Sequence, residues 1–232
     1  MKLLSYKIAE NQTHQIGVFQ DDYIYNLNSF FGNISLVELF QIKDYQAKVK
    51  NYIALQKLVK HSIKNIVLLP PVPQPNSFRD AYAFRQHVET CRKNRGADML
   101  HEFDQFPVFY FSNHNAMYGD GQDIEIMPDH FNKLDYELEF AIVIGKGGKN
   151  ILAKDAEQHI GGFCILNDIS ARTLQMEEMK LNLGPAKGKD FANVIGPYIV
   201  TKDELDTKSI DTPFGKKYDL QMQCFVNGIL LY

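Results

Sequence analysis

The apolar positions change period along the chain. Leu3 to Ile8, Gln15 to Phe19 and Tyr23 to Leu27 read as short strands, with Gln20-Asp21-Asp22 as a turn. Between residues 35 and 66 the spacing becomes helical. Leu36, Leu39, Phe40 and Ile42 form one run, and Tyr52, Leu55, Leu58 and Val59 a second, with Asn51 as its expected cap. Both periods end at Val67-Leu-Leu-Pro-Pro-Val-Pro-Gln-Pro75. Four prolines in six residues neither continue a helix nor join a central strand. We place a domain join there, with a small N-terminal α/β domain over 1–72 and a second domain over 73–232.

The second domain is organised around Lys133-Leu-Asp-Tyr-Glu-Leu-Glu-Phe-Ala-Ile-Val-Ile144, which reads as a strand closed by Gly145. Residues two apart on a strand point the same way, so Leu138, Phe140 and Ile142 share one face and Glu137 and Glu139 the other. Two neighbouring carboxylates on a buried face repel each other and lose solvation, a cost that a bound cation would offset. A solvated face is the alternative, and at this point both stand. Around this strand the pattern predicts a short aromatic strand at Pro107–Phe111 and a hairpin from Gly119-Asp-Gly121 into Ile124–Ile126. It also predicts a polar helix at 152–159 and a buried strand Gly162–Leu166 ended by Asn167-Asp168. Ser170 is the expected cap of a following helix on which Arg172 and Gln175 share a face. Ile195–Val200 reads as a strand at an edge or bulge because of Pro197. Tyr218–Val226, Asn227-Gly228 and Ile229–Tyr232 read as a hairpin with a short return strand. The charged stretch 88–104 is either a solvated helix or a lid beginning at His87.

Composition narrows the function classes. A net charge of −3 leaves no basic footprint for nucleic acid and no polybasic membrane patch. The apolar runs are shorter than the ~18 residues a spanning helix needs. The start of the chain lacks the apolar core of a signal peptide, so a cytoplasmic protein is expected. Cys91, Cys164 and Cys224 have neither disulfide-framework nor metal-finger spacing and read as reduced structural thiols. Gly145-Lys-Gly-Gly-Lys149 lacks phosphate-loop spacing and reads as a turn.

The oxygen-bearing candidates are Asp80, Glu137, Glu139 and Asp168. An all-oxygen set selects a hard cation, Mg²⁺, Mn²⁺ or Ca²⁺. Spacing alone does not bring the four together. Four stretches, in this order, resemble the fumarylacetoacetate hydrolase superfamily: Arg79-Asp-Ala-Tyr-Ala-Phe-Arg-Gln-His87, Asp135-Tyr-Glu-Leu-Glu139 with Gly145, Asn167-Asp-Ile-Ser-Ala-Arg172 with Gln175, and Leu183-Gly-Pro-Ala-Lys-Gly-Lys-Asp-Phe191.

The resemblance implies an α+β, mostly β fold: a rolled-up mixed β-sandwich behind a small N-terminal domain, acting as a homodimer. It implies a metal held by Asp80, Glu137, Glu139 and Asp168, and His87 as general base. Lys189 would stabilise an enolate, and Tyr82, Tyr110, Arg172 and Gln175 would contact substrate. The implied activity is hydrolysis of C–C bonds in β-diketone or 2-oxo acids, fumarylacetoacetate-like or acylpyruvate-like, as in aromatic amino acid catabolism. Decarboxylation, hydration or dienedioate isomerisation on the same scaffold is the alternative. A second alternative is a non-catalytic metal-binding fragment or paralogue, because the family's C-terminal Pro-Gly-Asp and Gly-Thr-Pro motifs are absent. Ser112-Asn113 also replaces a common Lys-Pro. Simpler readings stay open for single residues: Arg172 as a salt-bridge partner of Asp168 or Glu139, Lys189 as a solvated loop residue, Tyr110 as a core aromatic. His14, His61, His101, His114, His130 and His159 belong to no motif and read as surface.

Overall fold

The structure is a computed structural model that describes residues 1–8, 11–55, 59–128 and 132–231. Leu58, His130 and Tyr232 lie outside the described residues. The chain begins with strands β1 (Lys2–Ile8), β2 (Asn11–Gln20) and β3 (Tyr23–Asn26) and helices α1 (Asn28–Phe31), α2 (Leu36–Gln41) and α3 (Tyr45–Ala54). Strands β4 (Lys60–Ser62), β5 (Ile66–Leu68) and β6 (Phe78–Asp80) lead to α4 (Arg85–Asn94), β7 (Tyr110–Ser112) and β8 (Met117–Tyr118). Then come β9 (Leu134–Ile144), β10 (Ile160–Ala171), α5 (Arg172–Met179) and β11 (Asn193–Val200). The short hairpins β12 (Ser209–Thr212) with β13 (Gly215–Tyr218) and β14 (Phe225–Val226) with β15 (Ile229–Leu230) follow.

One sheet dominates. Its path is β4-β3-β2-β1-β11-β10-β9, with β5 added on β1 and β8 on β11. The pairing of β1 with β11 (Lys2↔Val200, Leu3↔Ile199) carries this sheet across the proline-rich segment. Leu3, Ile16, Val18, Leu36, Leu39 and Val49 pack with Cys164, Leu166, Ile195 and Ile199 into one core, so residues from both sides of residue 72 share it. Ser35 opens α2 with a capping box, accepting from the Glu38 N–H while the Glu38 carboxylate accepts from Ser35 N at 2.8 Å.

Several local expectations are corrected. Asn51 lies inside α3, whose N-cap position is the left-handed Asp44. Residues 60–68 are two short strands around a 3-10 turn, because β3 and β1 offer open edges that outcompete a weak helical period. Residues 122–127 form no strand. Asn167-Asp168 does not end β10, which continues to Ala171 paired with β9 throughout. Ser170 therefore does not cap α5; its Oγ donates to the Asp168 carbonyl at 3.1 Å. β11 is interior, between β1 and β10, and Pro197 sits where the β10–β11 register shifts. Tyr218–Val226 is broken into the ends of two hairpins. The Asn227-Gly228 turn forms as read, with φ of 51° and 78°, the left-handed pair such a two-residue hairpin needs. Residues 85–94 are helical with Val88 as the buried position and 101–104 form a 3-10 turn, so within 88–104 the solvated-helix reading describes only 88–94. His14 and His61 are not plain surface residues: each buries its Nε2 atom.

Candidate metal centre and active site

The register of β9 on β10 builds the floor of the site. Asp168 pairs with Glu137 and Leu166 with Glu139, on the same sheet face as the core pair Cys164 and Ala141. The acidic face is therefore the inner one. The opposite face is the more open: Ile142, Ile144 and Ile165 are 51%, 59% and 56% exposed, whereas Asp168 is 1% exposed. The solvated-face reading of the two glutamates is thus excluded by the sense of the pleat. Directly opposed like charges destabilise a sheet unless something neutralises them.

The antiparallel pair β6–β7 brings a further carboxylate. Asp80 pairs with Tyr110 across the two strands, and the Tyr110 hydroxyl donates to Asp80 Oδ2 at 2.6 Å. Asp80, Glu139 and Asp168 each present a carboxylate oxygen, all within 4.8 Å of one another. Glu137 does not join this trio. Its Oε1 accepts from Arg172 Nη1 at 2.7 Å and Lys189 Nζ at 3.1 Å. Lys189 also donates to Asp168 Oδ2. At 3% exposure it is no solvated loop residue. Nor does Arg172 pair with Asp168 or Glu139: it bridges Glu137 and Asp135, the latter at 2.8 Å, and donates to Gln175 Oε1 at 3.1 Å. That last contact is the shared helix face read from sequence.

The electrostatics follow from this placement. Burial together with Asp80, Asp168 and Glu137 pushes the Glu139 carboxyl up to about 8. Burial raises Asp168 to about 7 although Lys189 opposes it. Burial also raises Glu137, but Lys189 and Arg172 outweigh it and hold that carboxyl below the ordinary range. Tyr110 is raised by burial and by the Asp168 and Asp80 charges, so its hydroxyl stays a donor. The inner face thus carries more acidity than its two cations neutralise. Asp168 Oδ1 is buried with no hydrogen-bond partner among the described residues. An orphaned carboxylate oxygen beside two convergent carboxylates fits a hard divalent cation, whose ligands are oxygens.

Loop 184–191 is tied to α5 by Glu178, which accepts from the backbone N–H groups of Lys187 and Gly188, both at 3.0 Å. A Cβ on Gly188 would stand 2.7 Å from Gln175 N, so only glycine lets the loop approach closely enough to deliver Lys189. Sequence reasoning passed over Glu178 and Asp135, although both carried a signal. Glu178 continues the three-residue spacing of Arg172 and Gln175, and Asp135 continues the alternation of Glu137 and Glu139.

Two other expected site residues make their contacts elsewhere. His87 is exposed on α4, with Nε2 3.7 Å from Cys91 Sγ. Tyr82 is half exposed and stacks on Phe103 at 6.2 Å between centroids.

Residues 76–231 match the sequence model of the family described as fumarylacetoacetate (FAA) hydrolase, C-terminal. An uncharacterized protein of Staphylococcus aureus strain USA300 is 31% identical over 222 residues, covering 88% of this chain and 71% of the relative. Among solved structures, a fumarylacetoacetate hydrolase from psychrophilic Exiguobacterium antarcticum superposes with a TM-score of 0.65 at 24% identity, over 90% of this chain and 69% of that one. Maleylpyruvate hydrolase from Sphingobium sp. SYK-6, in complex with manganese(II) and pyruvate, gives 0.62 at 19%, over 89% and 69%.

Proposed function

The chain belongs to the fumarylacetoacetate hydrolase family, and from that premise we propose that it is a divalent-metal-dependent hydrolase of C–C bonds in 2-oxo or β-diketo acids. The observation that carries this reading is the convergence of Asp80, Glu139 and Asp168 beside the buried ammonium of Lys189. Those three carboxylates would hold Mg²⁺ or Mn²⁺, with Glu137 as a fourth acidic neighbour. The cation would polarise the carboxylate and keto oxygens of a 2-oxo acid.

The protein's own groups do the rest. Lys189 places a positive donor where negative charge builds up on the departing enolate oxygen. Arg172, gathered by Asp135, Glu137 and Gln175, would give a substrate carboxylate its planar fork by releasing Asp135 or Gln175. Tyr110 keeps Asp80 aligned. His87 takes the proton of the attacking water. That role requires α4 to bring His87 inward, because it faces solvent here.

The exposed position of His87 favours one second reading, decarboxylation of a 2-oxo diacid, which needs no water-activating base. Loss of diketone absorbance from acylpyruvates with added Mn²⁺, against CO₂ release from oxaloacetate, separates the two. Equal turnover in excess EDTA would overturn both. We further propose a cytoplasmic homodimer; the open apolar face around Ile142, Ile144 and Ile165 supports association, and sedimentation measures it. Among the described residues, no helix is long and apolar enough to cross a membrane.

A further inference from the structure

A cavity of about 280 Å³ is walled by residues 110–113 and by Pro185, Ala186 and Asp190. Both walls run into the site. Tyr110 lines the cavity while its hydroxyl holds Asp80, and Asp190 directly follows Lys189, whose ammonium sits on Asp168. Tyr110 thus joins the cavity to the trio, and a molecule with its head at the trio would extend its tail past Tyr110 into it.

The lining is chemically one-sided. Among the described residues it contains no Lys, Arg or His, and it contributes one acidic residue, Asp190. Asp190 makes no ion pair among the described residues. Ser112 and Asn113 supply neutral polar groups, and Phe111, Pro185 and Ala186 apolar surface. One cation touches the wall from outside. The Arg79 guanidinium stands 4.8 Å from the Phe111 ring centroid, on the strand-pair face that Arg79 shares with Phe111, but Arg79 is not among the described residues that line the cavity.

We propose that this cavity is the tail subsite and that it selects substrates with an uncharged tail over those carrying a second carboxylate there. A carboxylate entering it would meet Asp190 with no counter-charge among the described lining residues and would lose water without gaining a cation from them. A short alkyl or hydroxyalkyl tail would meet apolar walls and neutral donors. This inference rests on the hydrolase reading for its catalytic arm, and on binding alone for its second arm.

The test uses full-length, Mn²⁺-loaded protein. In the catalytic arm, kcat/KM is compared for acetylpyruvate and succinylpyruvate. In the binding arm, calorimetry compares 2-oxopentanoate with 2-oxoglutarate, which differ in a terminal methyl against a carboxylate. The neutral-tailed member should win each pair by about tenfold or more, the scale of one uncompensated like-charge contact. Asp190→Asn should narrow the gap by strengthening the carboxylate-tailed member, and Asp190→Lys should reverse it. Arg79→Gln should leave the ratio unchanged. Preference for the carboxylate tail, a ratio unmoved by Asp190→Asn, or a ratio that shifts with Arg79→Gln would each overturn the proposal. If neither diketone is turned over, the hydrolase reading fails while the calorimetric ratio still decides this one; if neither 2-oxo acid binds, the subsite is refuted.

Discussion

Lys189 is ion-paired with Asp168 on the inner face of the sheet, the two side chains only 4% and 2% exposed. The pair explains how a strand register that opposes Asp168 to Glu137 is tolerated. One ammonium serves both carboxylates from a loop 21 residues further on, held in place by Glu178.

Removing that ammonium should be costly. Lys189→Met leaves two buried carboxylates without their shared cation, and breaking such a pair by deleting one partner costs about 3–5 kcal/mol. The metal-free variant should melt well below the metal-free parent. Added Mn²⁺ should restore more stability to the variant than to the parent, because it supplies the missing charge. Equal melting of the two metal-free proteins would contradict the buried pair.

Glu139 makes the metal-free protein sensitive to pH. Burial and the neighbouring Asp80, Asp168 and Glu137 push its folded carboxyl up to about 8, above the ordinary value of 4.5. The unfolded chain therefore gives up this proton first, and folding carries a penalty that grows as pH rises from the unfolded value to the folded one. Metal-free stability contributed by this group should fall between pH 5 and 8, and Glu139→Gln should flatten that slope. Mn²⁺ binding should strengthen over the same interval, because the cation needs the ionised form, and calorimetry in buffers of different ionisation enthalpy should register proton release.

Gly188→Ala tests the loop approach. The new methyl would overlap the Gln175 backbone at 2.7–2.8 Å, so loop and helix must separate. The fold should survive with a loss of roughly 1–3 kcal/mol. Catalysis should drop further than stability implies, because Lys189 moves with the loop. A variant with parental kcat would show that the close packing is not what places Lys189.

His87→Gln separates chemistry from metal binding. His87 lies outside the carboxylate trio, so Mn²⁺ affinity should stay at the parental level. Hydrolysis should fall by about 10²–10⁴-fold, the range of a lost general base. Retained hydrolysis would place the base elsewhere and favour chemistry that needs none.

What the sequence determined by itself is local or carried by short motifs. The alternation through residues 134–144 placed Glu137 and Glu139 on one face. The three-residue spacing put Arg172 beside Gln175, and Asn227-Gly228 specified its turn, because each depends only on neighbouring backbone geometry. Motif order identified the family, and the acidic candidates named from it include all three members of the trio. The tertiary structure alone decided the remainder. Which face of β9 is buried depends on the core supplied by β1, β2 and the first helices, more than 80 residues away in sequence. Whether 60–68 is helix or strand depends on the open edges of β3 and β1. That Glu137 faces Arg172 and Lys189 depends on the loop that delivers Lys189 and the helix that starts at Arg172. Long-range pairing sets these outcomes, and it leaves no periodic trace in the residues that obey it.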